Sequence, residues 1–192
     1  MDGFAGILSN IAVTAGVPPT DVYQRASLEL PGFFRPTKQW DLLVVHAGKL
    51  IAAIELKSQV GPSFGNNFNN RVEEAIGSAA DIWTAYRERA FGDAPPPFLG
   101  YVFMLEDCPA SRRPVSVAEP HFRVLPEFKD ASYRRRYELL CRKLVSERHY
   151  SAAAFLTSSS HYAESGAYDI PAEDLSFVHF ARTLLGHVSA SV

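Results

Sequence analysis

The feature that most constrains the fold is a pair of apolar runs separated by a short link. The runs are DLLVV at residues 41–45 and KLIAAIELK at residues 49–57, and the link contains Gly48. Two strand-like runs joined by so few residues predict a β-hairpin. Asp41 opens the first run, and Glu55 and Lys57 stand near the end of the second, so the charges gather at one end of the hairpin.

The length of the turn decides whether these charges meet. Side chains two residues apart in a strand share a face, so Glu55 and Lys57 point the same way. If residues 47–49 form a three-residue loop, Asp41 lies opposite Glu55. If the loop has two residues, Asp41 lies opposite Ile54 and its side chain reaches the other face. Three-residue loops with a glycine near the end are common, and we expect that register.

The rest of the chain alternates helical and strand-like patterns. Apolar positions three or four apart predict helices, and apolar runs predict strands. Helices are expected over residues 4–15, 71–90 and 132–148 and from near Pro171, and an interior strand over residues 98–105. We therefore expect a single α/β domain over residues 1–192, with a mixed sheet flanked by helices and a C-terminal helical extension over residues 150–192.

Composition narrows the class of protein. The chain has 192 residues, 47% of them hydrophobic and 21% charged, which argues against disorder. No apolar stretch approaches the roughly 18 residues of a membrane span, and the first residues lack the basic segment of a signal peptide. Cys108 and Cys141 have no metal-binding spacing, so we expect a reducing cytoplasm. The formal net charge of −2 is compatible with a nucleic-acid partner.

Two carboxylates and an ammonium at the ends of apolar strands suit a site for a hard cation. Asp41 and Glu55 supply oxygen ligands, and the backbone carbonyl of Leu56 is a further candidate. Mg²⁺ needs only one or two carboxylates, because waters and a substrate phosphate complete its shell. Lys57 would then position a water beside that phosphate. A solvated salt bridge explains an isolated Glu-x-Lys triplet better, but an Asp at hairpin distance favours catalysis.

The order Asp41…Glu55-Leu56-Lys57 resembles the PD-(D/E)xK nuclease signature, with Trp40 in place of the usual proline. Three longer segments are similar, in the same order, to the XhoI-type restriction endonuclease family. They are LPGFFRPTKQWDLLV (30–44), AAIELKSQVGPSFGNNFNNRVEEAIGSAAD (52–81) and PHFRVLPEFKDASYRRRYELLCRKL (120–144).

This resemblance implies a restriction-endonuclease-like core and a Mg²⁺-dependent type II endonuclease. It implies a homodimer that acts on double-stranded DNA at the palindrome CTCGAG, cleaves after the first C and leaves 5′ overhangs. The resemblance also implies a partner methyltransferase that acts on the same DNA site.

A group of amides after the second strand is the candidate DNA-reading element. Gly61, Pro62 and Gly65 predict a loop that would lie close to the duplex. Asn pairs with adenine and Arg with guanine in the major groove, but Asn is also a turn former, and we expect Asn70 to cap the following helix. The candidate DNA contacts are Lys38, placed for a phosphate, and Gln59, Ser63, Asn66, Asn67, Asn69 and Arg71.

Two other functions fit the same residues. A repair or junction-resolving nuclease would share the catalytic residues but lack base preference, and would nick DNA according to its structure. A DNA-binding module that has lost cleavage would bind the palindrome without cutting it. Discrete fragments from varied plasmids favour restriction over both alternatives.

Overall fold

The computed structural model describes residues 1–162 and 166–192. Its strands are β1 (Val22–Tyr23), β2 (Glu29–Pro31), β3 (Thr37–Gln39), β4 (Leu42–His46), β5 (Lys49–Gln59), β6 (Phe98–Glu106) and β7 (Ala152–Ser158). The main sheet has the order β1-β4-β5-β6-β7, and β2 and β3 form a separate pair. β1, β4 and β5 are antiparallel neighbours, whereas β5, β6 and β7 run parallel, so the main sheet is mixed.

Helices cover both faces of the main sheet. They are α1 (Asp2–Thr14), α2 (Phe64–Arg87), α3 (Pro109–Arg112), α4 (Tyr133–Ser146) and α5 (Phe177–Ser189). α2 and α4 pack in one hydrophobic core, and α1 and α5 pack in the other. This arrangement confirms the predicted fold class, a mixed sheet flanked by helices. Across the described ranges, every helix is too short or too polar to cross a membrane.

Alternate side chains of β5 divide between the two cores. Ala52 and Ile54 pack with Leu8 of α1 in one core. Ala53 packs with the residues of α2 and α4 in the other. Because side chains alternate along a strand, Glu55 and Lys57 project from the face that α2 and α4 cover.

The predicted β4–β5 hairpin is confirmed, but its turn differs from the prediction. The turn has two residues, Ala47 and Gly48, both with positive φ, at 49° and 75°, as in a type I′ turn. A bulge then leaves Ile51 without a partner in β4 and shifts the register by one residue. Leu42 consequently pairs with Ile54. The predicted turn length is wrong, and the bulge restores the register that the longer turn would have given.

Helix α2 begins at Phe64, seven residues before the predicted start. Ser63, not Asn70, precedes the helix. Phe64 and Phe68 pack against tyrosines of α4 with ring centroids 5.7 and 5.1 Å apart, and this burial outweighs the weak helix propensity of Asn and Gly. The predicted loop is therefore wrong in this region, because the first turns of α2 contain Asn66, Asn67, Asn69 and Asn70.

Residues 150–192 contribute a strand as well as the predicted helix. β7 pairs in parallel with β6, although its run of alanines is not typical of a strand. Its alanines divide between the two cores, where small side chains suit helices packed on both faces. α5 begins at Phe177 rather than near Pro171, and the Ser176 hydroxyl accepts a hydrogen bond from the His179 N–H at 3.2 Å.

Hydrogen bonds to the Asp81 side chain connect the β2–β3 hairpin to α2. One carboxylate oxygen of Asp81 accepts hydrogen bonds from the N–H groups of Phe33 and Phe34, each at 2.7 Å. The other accepts from the Arg35 guanidinium at 2.7 Å. Burial raises the pKa of Asp81, but these three donors outweigh it, so the pKa lies below its ordinary value. The same hairpin carries Lys38 on β3.

Candidate active site

The carboxylate of Glu55 is held between two lysines. Glu55 lies on β5 and is only 4% exposed. Nζ of Lys57, two residues along the same strand, lies 2.5 Å from Oε1. Nζ of Lys38, from β3, lies 2.6 Å from Oε2. The Lys38 ammonium also donates to the Gln39 carbonyl at 3.0 Å and lies 4.4 Å from the centre of the Trp40 ring. Both oxygens of this buried carboxylate thus have a cationic partner.

Asp41 lies at the start of β4, and its carboxylate turns toward β5. Leu42 pairs with Ile54 in the antiparallel β4–β5 pair. Asp41, which precedes Leu42, therefore lies next to Glu55, which follows Ile54. Oδ2 of Asp41 accepts a hydrogen bond from the Leu56 N–H at 2.7 Å. Within the described residues, the other oxygen of Asp41 accepts no hydrogen bond. One carboxylate oxygen is therefore hydrogen-bonded to β5, and the second has no partner among the described residues.

Asp41, Leu56 and Lys57 line one cavity of about 360 Å³. The ammonium of Lys57 also touches Glu55, so Lys57, predicted to position the water, connects the three predicted metal ligands. Sequence reasoning missed other residues of the cavity wall, because they belong to no motif and only the fold brings them there. These residues include Asp2, Gln24, Arg25 and Gln39.

Two buried tyrosines lie close to Glu55. Tyr101 is its partner on β6, and the Tyr101 hydroxyl is buried without a hydrogen-bond partner among the described residues. Burial raises the pKa of Tyr101 well above its ordinary value, and the neighbouring acidic groups, first Cys141, raise it further. Burial followed by the charge of Glu55 likewise raises the pKa of Tyr150. Both phenols therefore stay neutral, and the Glu55 carboxylate has little access to water from this side.

Two of the predicted DNA contacts lie inside the protein rather than on an open surface. Lys38 is largely buried and bonded to Glu55. Gln59 shares the strand of Glu55 and Lys57, as predicted, but it is only 4% exposed. Its amide donates to the Val60 carbonyl at 2.5 Å. A DNA contact by either side chain therefore requires it to leave its present partner.

The other predicted contacts lie at the start of α2. Asn66 and Asn69 are exposed and stand three residues apart on the helix, which places them on the same face. Asn67 is half-buried, and Ser63 is exposed just before the helix. Arg71 forms an ion pair with Glu74, and its Nε atom is buried without a partner among the described residues. The amides therefore form a helix face, not a loop.

The oxygen donors of the site fit a hard divalent cation. No cluster of three or more His, Cys, Asp and Glu side chains in residues 1–162 and 166–192 could hold a metal. An ion beside Asp41 and Glu55 would therefore depend on two carboxylates, a backbone carbonyl and water. This is the ligand set typical of Mg²⁺, whereas structural Zn²⁺ takes four protein ligands rich in Cys and His.

The mixed sheet with an Asp beside a Glu-x-Lys strand defines an α/β, restriction-endonuclease-like class of protein. A family model described as restriction endonuclease XhoI matches residues 1–170. The chain belongs to the XhoI restriction endonuclease family. No solved structure matches it.

Three similar proteins are type II restriction enzymes. BstVI from Geobacillus stearothermophilus is 53% identical, over 98% of this chain and 87% of that protein. XhoI from Xanthomonas vasicola is 56% identical, over 76% of this chain and 59% of that protein. AbrI from Azospirillum brasilense is 56% identical, over 64% of this chain and 56% of that protein. The chain thus spans less than two thirds of the XhoI and AbrI proteins.

Proposed function

We propose that this restriction endonuclease hydrolyses DNA phosphodiester bonds with Mg²⁺ held by Asp41 and Glu55, and with the Leu56 carbonyl as a further ligand. The observation that carries the proposal is the convergence on β4 and β5. Oδ2 of Asp41 lies 2.7 Å from the Leu56 nitrogen, and Lys57 Nζ lies 2.5 Å from Glu55. When bound, Mg²⁺ supplies Lewis acidity and stabilises the charge that develops on the phosphate.

The side chains of the site have separate roles. Lys57 reaches both Glu55 and the cavity beside Asp41, so its ammonium can orient a water for in-line attack at phosphorus. One oxygen of the Asp41 carboxylate is hydrogen-bonded to the Leu56 N–H of β5, so its second oxygen is available to the metal ion. The leaving 3′ oxygen takes its proton from water. The strand backbone holds these groups at fixed separations, which is the condition for efficient attack.

We propose that the substrate is double-stranded DNA containing CTCGAG, cut with 5′ overhangs by a homodimer. A palindrome presents the same half-site twice, so two protomers related by a two-fold axis would each cut one strand. The exposed amides of α2 support the recognition part of this proposal, because Asn pairs bidentately with adenine. The proposed contacts are Lys38, Gln59, Ser63, Asn66, Asn67, Asn69 and Arg71.

Plasmid digestion tests this proposal. Wild-type protein with Mg²⁺ is expected to give discrete fragments that end at CTCGAG, and EDTA should stop the reaction. Glu55→Ala and Lys57→Ala are each expected to lower the cleavage rate by at least about 100- to 1000-fold, as removal of one group that stabilises the transition state does. Glu88→Ala, which changes an exposed carboxylate just after the C-terminal end of α2, should cut at the wild-type rate.

The outcomes separate the parts of the proposal. Discrete fragments with other ends would remove the CTCGAG assignment and keep the nuclease. Cleavage by Glu55→Ala at the wild-type rate would refute the assigned metal site. Tight binding of CTCGAG duplexes without any Mg²⁺-dependent cutting would refute catalysis.

We also propose that the enzyme acts in the cytoplasm, beside a methyltransferase that modifies the same DNA sequence. Cys108 and Cys141 are both free thiols, which is compatible with a reducing compartment. A nuclease that cuts a short palindrome would also cut the DNA of its own cell, so that DNA requires protection. Fractionation and a test of the cell's DNA for resistance to the purified enzyme check both points.

A further inference from the structure

Both oxygens of the Glu55 carboxylate, a proposed metal ligand, contact lysine ammonium groups. Lys57 covers one oxygen of Glu55 and Lys38 covers the other. A divalent cation and an ammonium cannot share one carboxylate oxygen without strong repulsion, because both are positive and would lie within a few ångströms. Metal binding to Glu55 therefore requires at least one lysine to move.

The two lysines are carried by strands that differ in length and in pairing. Lys57 lies on β5, whose residues 52–59 are all paired with β6. Lys38 lies on β3, a strand of three residues whose partner is the equally short β2. The neighbours of Lys38 in sequence, Gln39 and Trp40, line the cavity beside Asp41. The Lys38 ammonium therefore lies close to that cavity and is carried by the shorter and less extensively paired of the two strands.

We propose that Lys38 is an exchangeable counter-ion that couples metal binding to DNA binding. In the metal-free protein it neutralises Glu55, and when a divalent cation takes that carboxylate, Lys38 transfers to a phosphate oxygen of the DNA. This inference rests on the proposed metal site. The metal takes Glu55 and so releases Lys38 for a phosphate, and DNA takes Lys38 and so frees Glu55 for the metal. Metal and DNA therefore raise each other's affinity by the same factor.

Lys38 is held against a carboxylate rather than exposed on the surface. The Lys38 side chain is 13% exposed, and its ammonium is held by Glu55, the Gln39 carbonyl and the Trp40 ring. An ammonium kept in this position is engaged with protein groups beside the proposed metal site. Phosphate binding by Lys38 is consequently restricted to the metal-loaded enzyme.

Calcium binding without DNA gives the first test. Lys38→Met keeps the aliphatic stem beside Trp40 and removes the competing charge. It is expected to bind Ca²⁺ about tenfold more tightly than wild type in calorimetry. Lys49→Met removes an exposed ammonium at the far end of β5 and should leave Ca²⁺ affinity unchanged. Equal or weaker Ca²⁺ binding by Lys38→Met would overturn the inference.

Salt dependence of DNA binding gives the second test. We would measure binding of a CTCGAG duplex over a range of KCl concentrations, in EDTA and in Ca²⁺. In EDTA, Lys38→Met and wild type should have the same slope of log affinity against log salt. In Ca²⁺, the variant slope should be shallower by about 0.9 for each phosphate that the protein no longer neutralises. If the slopes of wild type and Lys38→Met differ equally in EDTA and in Ca²⁺, or do not differ in either, Lys38 does not transfer to a phosphate on metal binding.

A second variant, used well below its own Tm, tests the role of Lys38 without changing Lys38. Glu55→Gln releases Lys38 without any metal, so in EDTA it should bind the duplex more tightly and with a steeper salt slope than wild type. Adding Lys57→Met to Glu55→Gln should leave most of this gain in place. If wild type binds no divalent cation, with or without DNA, the proposed function itself fails. If it binds the cation but Glu55→Gln shows no gain, only the role of Lys38 fails.

Discussion

Glu55→Gln is expected to destabilise the metal-free protein strongly. The free energy of unfolding should fall. In a site made only of carboxylates that repel one another, neutralising one of them would raise it instead. Here the Glu55 carboxylate has two ammonium partners, at 2.5 and 2.6 Å. Neutralising it leaves two partly buried positive charges facing one uncharged amide.

The size of the destabilisation follows from the two ion pairs that Glu55 makes with Lys38 and Lys57. At a separation of about 4 Å and an effective dielectric constant near 20, each ion pair corresponds to about 4 kcal/mol of Coulomb attraction. Some of this attraction is replaced when the lysines gain water, since their side chains are 13% and 26% exposed. Removing one partner of a buried pair costs about 3–5 kcal/mol, and we expect destabilisation in that range. For a chain of this size, Tm should fall by about 6–20 °C.

Urea and thermal unfolding in EDTA at pH 7 measure this destabilisation. Glu73→Gln, a change at an exposed carboxylate of α2, is the control and should shift the free energy of unfolding by less than about 0.5 kcal/mol. Combining Glu55→Gln with Lys38→Met should cost less than the sum of the two single changes, because the second removes one of the unpaired charges. A Glu55→Gln protein as stable as wild type would refute the ion-pair account.

Three further changes test the packing and the hairpin anchor. Gly100→Ala places a Cβ 2.6 Å from Cζ of Phe180, so it should lower the free energy of unfolding by about 1–3 kcal/mol in urea titrations. Gly77→Ala meets no atom within 4 Å on α2 and should raise it by up to about 1 kcal/mol. Asp81→Asn should lower stability at pH 7 by about 1.5–3 kcal/mol. Because the pKa of Asp81 is lowered from 3.8, this difference should persist above that pH and shrink as the pH falls below it.

The β4–β5 hairpin was the most predictable part of the site. Its two apolar runs and terminal charges are visible in the sequence, and the structure confirms the strands. The register was reached by a different route, because Ala47 adopts the positive φ of a two-residue turn and a bulge at Ile51 compensates. Neither has a local signal, since Ala is not typical of that turn and Ile51 lies inside a continuous apolar run.

The errors elsewhere arise where tertiary packing outweighs local preference. Asn and Gly at residues 65–70 indicate a loop, yet burial of Phe64 and Phe68 against α4 extends the helix over them. The alanines of β7 lack strand propensity, and pairing with β6 makes them a strand. The second lysine on Glu55 was also hidden, because Lys38 belongs to a hairpin whose position depends on Asp81 of α2.

β5 is the third of five strands, and β6 pairs with it continuously from Ala52 to Gln59. Amide hydrogens of central, fully paired strands are expected to be among the slowest to exchange with solvent. Glu55, Leu56 and Lys57 lie in this segment, whereas the exposed face of α2 lies outside it. Sequence changes on that face can therefore accumulate while the proposed reacting centre stays where it is.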